Sequence, residues 1–374
     1  MDARGRGRRA LRSACLAAGL ALGAAAQAQA QTHEHHDHGS GGVLLFLSAE
    51  AHRYSGAPQE RLNEDAPVSA DLVLSLGAGG PLRLFGEFLA SSEEHDVERL
   101  QLGWEARPDT VVWLGRYHQP ASAWNLEHHH GRYLQTSVTR PGVELWEDER
   151  GIVPQHLSGL LVESRHELPG GQALRLAGGT GLGTTLRDEG LEPLDLMKPR
   201  REGRHWSWSG RVSWLPDQLG ASQFGLLAAR HRSPVADAAL ATQLDATEVQ
   251  HDLLGAFADW HPGEWRLLGA VYGIAIGTRG GSGERTDRMT VGYLQLEGQL
   301  PAALTAYGRH EASDGVRGSA VVAAVSPQFD LRRSLLGLRW DGWHRQALTL
   351  EIARGNTVDG SRWETRLQWS AAFP

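Results

Sequence analysis

The sequence predicts an all-β fold, a transmembrane up-and-down antiparallel β-barrel of about 16 strands with short turns at one end and longer loops at the other. Three observations predict it. Apolar and polar residues alternate with a period of two over stretches of about ten residues, the length a tilted membrane strand needs. Short and long connections take turns along the whole chain. An export signal precedes both.

The first element, residues 1–30, reads as that signal. Arg4, Arg6, Arg8, Arg9 and Arg12 form a positive leader, Ala14 to Ala26 is a short apolar run, and Ala28-Gln29-Ala30 supplies a small-residue cleavage pattern. The run is shorter than the ~20 residues a membrane helix needs. Cys15 leaves with the signal, so the mature chain has no cysteine, and neither a disulfide nor a thiolate metal site is available to it. Cleavage also changes the net charge from −7 to −11. That balance disfavours nucleic acid as a partner, because phosphate binding needs a basic surface. Lys198 is the single lysine, and arginine supplies the remaining fixed positive charge.

Residues 31–42 form a polar tail that begins the exported chain. His33, Glu34, His35, His36, Asp37 and His38 pack imidazoles and carboxylates densely, ahead of a Gly-Ser-Gly-Gly hinge at 39–42. His33, His35, His36 and His38 are candidate ligands for zinc, copper or nickel. No other cofactor is required. His128 and His130 are weaker metal candidates, placed to share one face of an extended chain with His118.

From residue 43 the alternation takes over. In 68–76, Val68, Ala70, Leu72, Leu74 and Leu76 alternate with Ser69, Asp71, Val73 and Ser75. In 82–90, Leu82, Leu84, Gly86, Phe88 and Ala90 alternate with Arg83, Phe85, Glu87 and Leu89. Segment 205–214 sets Trp206, Trp208, Val212 and Trp214 against His205, Ser207, Ser209, Arg211 and Ser213. The last strand sets Trp363, Leu367, Trp369 and Phe373 against Arg362, Glu364, Arg366, Gln368 and Ser370. Segments 250–260, 264–275, 288–298 and 329–340 alternate less cleanly, which leaves the count between 14 and 18. Tight turns are expected at 77–81, 108–109, 169–171, 216–220, 261–263, 299–301 and 341–342, each with Gly, Pro or Asp chemistry. Longer polar connections fall at 55–67, 92–96, 117–156, 183–204, 232–249, 277–287, 312–328 and 355–360. Trp104, Trp113, Trp206, Trp265, Trp340 and Trp369 are placed for aromatic belts at the membrane interfaces.

A cleavable signal, a cysteine-free mature chain, about sixteen alternating strands and a last strand carrying Leu367, Trp369 and Phe373 resemble the Gram-negative outer-membrane porins. The resemblance spans residues 43–374 as a pattern. It implies an outer-membrane location, contact with lipids and lipopolysaccharide, insertion by the barrel assembly machinery, and a homotrimer. It also implies a third external loop, between strands five and six, that folds into the lumen. Residues 117–156 occupy that place. Trp124, Trp146, Leu126, Leu134, Val138, Val143 and Leu145 mark this loop as ordered. Candidate lumen and constriction residues are Arg83, Glu87, Arg99, Glu105, Arg116, His118, Glu127, Arg140, Glu147 and Asp148, with Gln101 in the same phase. Opposed fixed charges across a narrow aqueous pore set ion preference. The expected function is passive diffusion of small hydrophilic solutes or ions, metal-related if the tail gathers ions. A non-channel barrel, structural or metal-sequestering, is the alternative. An outer-membrane hydrolase is the third, with Ser164–His166 or Ser122–His118 as its near pairs; no enzyme is expected, since neither pair sits in a known motif.

Overall fold

The computed structural model describes residues 41–56, 67–77, 79–92, 95–128, 131–188, 190–197 and 203–374. The signal, the histidine tail and His130 lie outside the described residues. The strands are β1 (Gly42–Gly56), β2 (Val68–Gly77), β3 (Leu82–Ser91), β4 (His95–Arg107), β5 (Thr110–His118), β6 (His156–Leu168) and β7 (Gln172–Leu182). A small hairpin follows, β8 (Thr185–Arg187) and β9 (Gly190–Glu192). The remainder are β10 (Trp206–Leu215), β11 (Gln223–Pro234), β12 (Glu248–Trp260), β13 (Trp265–Gly280), β14 (Gly283–Leu300), β15 (Leu304–Asp314), β16 (Arg332–Trp343), β17 (Gln346–Asn356) and β18 (Ser361–Phe373). Short helices α1 (Asn125–His128), α2 (Ala238–Leu244) and α3 (Ala320–Val325) lie in connections.

All strands except β8 and β9 close one antiparallel barrel of sixteen, with β1 paired to both β2 and β18. Closure matters because an unpaired backbone edge in hydrocarbon would strand its N–H and C=O groups. Among the described residues no helix is long and apolar enough to cross a membrane. The strands do the crossing.

Alternation decides which face meets lipid. Leu82, Leu84, Leu100, Leu102, Leu114, Leu226, Leu254, Leu294 and Leu336 are exposed on the outer face. Trp104, Trp214, Trp260, Trp265 and Trp343 sit outward near the tight-turn end, and Trp206, Trp208 and Trp363 near the other. Trp113 departs from the expected belt. It packs on Tyr117, Leu157 and Leu161 and donates its indole N–H to Glu163 at 2.8 Å, on the lumen side of β5.

Two connections differ from the expected ones. Residues 277–287 continue the β13–β14 ladder to Gly280 opposite Gly283; at 16 and 18 residues these strands are longer than the ~9–11 that cross a bilayer. The last tight turn falls at 344–345 rather than 341–342, after a register shift between Trp340 and Trp343 that carries β16 further.

The lumen holds an apolar core. Leu227, Leu253, Phe257, Leu268, Ile274, Ile276, Met289 and Val291 point inward from β11–β14. They pack with Trp124, Val143, Ile152 and Val153 of the 119–155 connection, with Leu186 and Leu191 of the hairpin, and with Leu240 and Val321 of α2 and α3. This explains the imperfect alternation of these strands: both faces are apolar because both are covered, one by lipid and one by loops.

A charge on the lipid face at mid-strand should be costly. Leu254→Arg, at the centre of β12 and 68% exposed, is expected to lower stability by about 2–4 kcal/mol. Reversible unfolding in lipid vesicles measures it.

Candidate functional site

The longest connection joins β5 to β6 and folds inside the barrel. Its two roots are tied, with Gln119 N–H donating to Gln155 O at 2.7 Å. Glycine is required just before it. Gly115 has φ 141°, and a Cβ there would lie 1.9 Å from Leu100 O.

The loop then makes a circuit of the wall. Glu144 collects Ser122 Oγ at 2.5 Å, the Ala123 and Trp124 N–H groups and the Tyr272 hydroxyl of β13. Trp124 meets Tyr293 of β14 edge-on at 6.0 Å. Glu127 of α1 pairs with Arg211 of β10 at 3.0 Å. Further round, Arg339 of β16 donates to Tyr133 O at 2.8 Å and to Gln135 O at 2.5 Å. Thr136 Oγ1 donates to Glu297 at 2.8 Å. Glu351 of β17 accepts from Val138 N–H at 3.0 Å and Thr139 Oγ1 at 2.5 Å. Arg309 of β15 donates to Thr139 O at 2.9 Å, and Gly142 N–H donates to Glu311 at 2.7 Å. On the return, Glu147 accepts from the N–H groups of Gln155 and His156 at 2.6 and 2.9 Å.

The sequence-derived residues divide into three groups. Arg83 pairs with Glu105 and Arg99 with Glu87 across the β3–β4 ladder, so these charges answer each other along the wall. Arg116, His118, Arg140 and Glu147 are buried around the loop roots and its return arm. Arg116 reaches Asp96 at 2.9 Å, and Arg140 reaches Glu149 at 3.1 Å. Asp148 is exposed, and Glu127 stands half-open beside Arg211. Sequence reasoning missed the arginine and carboxylate network of Arg309, Arg333, Arg339, Glu311, Glu351 and Glu364, which grips the loop from β15–β18. Its signal was present as charged residues in the inward phase of the last four strands.

The histidine pairs sort differently. His128 stacks on Trp124 at 4.5 Å, with Nδ1 3.1 Å from Trp124 O. His118 instead joins Glu98 and His156, whose ligand atoms all lie within 4.8 Å of one another. Of the serine pairs, Ser122 goes to Glu144 rather than His118. Ser164 Oγ lies 3.2 Å from His166 Nε2, and His166 Nδ1 lies 3.1 Å from Asp109. That chain sits on an open strand face with His166 and Asp109 each more than two-fifths exposed, where water screens the charges that a nucleophile's base would need.

Comparison with solved structures places the fold. OmpT of Vibrio cholerae, an outer membrane protein solved with loop L8 deleted, aligns at TM-score 0.58 and 10% identity over 90% of this chain and 100% of its own. The anion-selective porin of Comamonas acidovorans aligns at 0.57 and 12% over 89% and 100%. OmpF of Salmonella typhi, in complex with daunomycin, aligns at 0.56 and 10% over 90% and 98%. No protein-family model matches the sequence, and no curated protein is similar to it. At these identities the likeness is one of fold. The fold is that of the outer-membrane porins, a closed sixteen-stranded antiparallel barrel.

The Glu127–Arg211 tie is pH-sensitive with a defined sign. Burial raises the Glu127 carboxyl, and the Arg211 charge with its hydrogen bonds outweighs this and holds it down at about 2. Its contribution is therefore complete above the unfolded value of about 4.3 and fades only as pH falls through the folded one. Stability is expected to be insensitive to this pair from pH 7 to 5 and to drop near pH 2–3. Glu127→Gln should remove that part of the acid transition in tryptophan-monitored unfolding.

Glu351 holds the loop by both Val138 and Thr139. Glu351→Ala leaves the Val138 N–H and the hydroxyls of Thr139 and Tyr307 without their acceptor, while Arg333 keeps Glu364 at 2.9 Å, and is expected to cost about 1–3 kcal/mol. Chemical denaturation measures that loss, and faster proteolysis of the loop reports its release.

Proposed function

We propose that this protein is an outer-membrane channel for passive diffusion of small hydrophilic solutes or ions, narrowed by the loop between β5 and β6. One observation carries the reading. The loop lies inside a porin-type barrel, yet one edge keeps charged groups open to water. Arg132 and Glu149 pair at 3.1 Å and remain partly exposed, while Asp148 and Arg150 are exposed. Fixed charges of both signs on a constriction orient dipolar solutes and bias ions.

The apolar core in the lumen favours a small conductance, because loops and wall side chains occupy much of the space that a barrel of sixteen strands would otherwise leave as water. The same core supports a second reading, a filled barrel with a structural role. A homotrimer fits the proposal, as the OmpT neighbour is also known in trimer form. The exposed leucines and tryptophans of the outer face suit lipid and lipopolysaccharide.

Purified protein in planar bilayers is expected to give discrete conductance steps. Replacing Asp148 and Glu149 together by arginine should move the reversal potential in a salt gradient toward anion preference, several-fold in permeability ratio. A preparation of folded, heat-modifiable barrel that gives no steps would establish the filled-barrel reading instead.

A further inference from the structure

Where the constriction loop leaves and rejoins the wall, we propose a site for one divalent transition-metal ion of the zinc class, held by Glu98, His118 and His156. All three side chains are buried, and one ligand atom from each lies within 4.8 Å of the other two. Imidazole nitrogen and carboxylate oxygen suit zinc, which takes such donors at about 2.0–2.2 Å in tetrahedral geometry, so that neighbouring donors stand about 3.3 Å apart. His156 Nε2 and Glu98 are 3.0 Å apart. A slight spreading of that pair and an inward turn of His118 complete the set.

Two independent features, one of the wall and one of the loop, aim these groups. The first is a β-bulge. Glu87 pairs with Arg99 while the next residue, Phe88, pairs with Val97, which leaves Glu98 as the extra residue on β4. Bulges re-aim side chains. In unbroken alternation Glu98 would share the lipid-facing phase of Leu100 and Leu102, and instead it is 5% exposed. The second is the partner of His156. Glu147 accepts from two backbone N–H groups and lies 2.9 Å from His156 Nδ1. A carboxylate on the far nitrogen fixes the ring and presents Nε2 as a ligand, the usual outer support of a metal-bound histidine. Glu147 is thus a positioning residue. Trp146 packs on both rings, 4.6 Å from His118 and 5.1 Å from His156, and restricts their rotation.

The electrostatics point the same way. Glu87 holds Arg99, and Asp96 joins Glu98 on Arg116. With Glu147 these carboxylates outnumber the two guanidinium groups that face them, Arg99 and Arg116. A divalent cation lowers that excess. It would also clasp β4, β5 and β6 at the loop roots. The site rests on the wall geometry and stands whether or not the barrel conducts.

The test is Zn2+ titration of the full-length, detergent-folded protein carrying His33→Ser, His35→Ser, His36→Ser and His38→Ser, so that the N-terminal histidines do not contribute. One equivalent is expected to bind. Glu98→Gln and His118→Asn should each weaken it by about 100-fold or more, and Glu147→Gln by about 10–100-fold with the gel shift of the folded barrel retained. Co2+ should give the absorption of a tetrahedral site, which reads the geometry in the parent protein should a variant fail to fold. No Zn2+ uptake, an octahedral Co2+ spectrum, or an affinity unchanged in both Glu98→Gln and His118→Asn overturns the proposal.

Discussion

Pairing of β1 with β18 is the constraint on which the rest of the structure depends. Twelve residue pairs from Leu45–Phe373 to Gly56–Arg362 seal the sheet. In hydrocarbon an open edge would leave backbone donors and acceptors without partners, at several kcal/mol each. Once the sheet is closed, every strand has one face for lipid and one for the lumen. The positions of charge and of leucine then follow from parity alone.

A barrel of this size leaves a lumen too wide to be filled by wall side chains. The 119–155 connection and the loops carrying β8–β9, α2 and α3 occupy it instead. They do so by two kinds of physics on two sides. Against β11–β14 the contact is apolar, with Trp124, Ile152 and Val153 meeting Phe257, Ile274 and Met289. Against β15–β18 it is ionic and hydrogen-bonded, through Arg309, Arg339, Glu311 and Glu351. Buried charges hold such a loop in one geometry, because each must keep its partner or stand uncompensated in a low dielectric.

Much of the fold was legible from one period. Strands such as 68–76 and 205–214 declare their faces, because a polar residue on the lipid side has no partner there. The candidate loop was legible for the same reason: it is the place where a long polar-and-aromatic stretch interrupts the rhythm. The less regular strands of 250–298 carried information of another kind. Their inward apolar residues mark the wall on which the loops rest, and this cannot be recognised until the covering loop is known. The β13–β14 ladder likewise outran its expected turn, since residues 277–287 are polar on strands that extend beyond the bilayer.

Taken by itself, the sequence determined the barrel, its approximate strand number and the position of its longest loop. These depend on local alternation and turn chemistry, which are written residue by residue. Only the tertiary structure decided which charges meet. Arg83 and Glu105 lie 22 residues apart and pair across one hairpin, whereas Thr139 and Glu351 lie 212 apart and meet across the lumen. It also decided that Glu98, a residue of the lipid-facing phase, turns inward toward His118 and His156. A bulge is a slip between two strands, and neither strand records it alone.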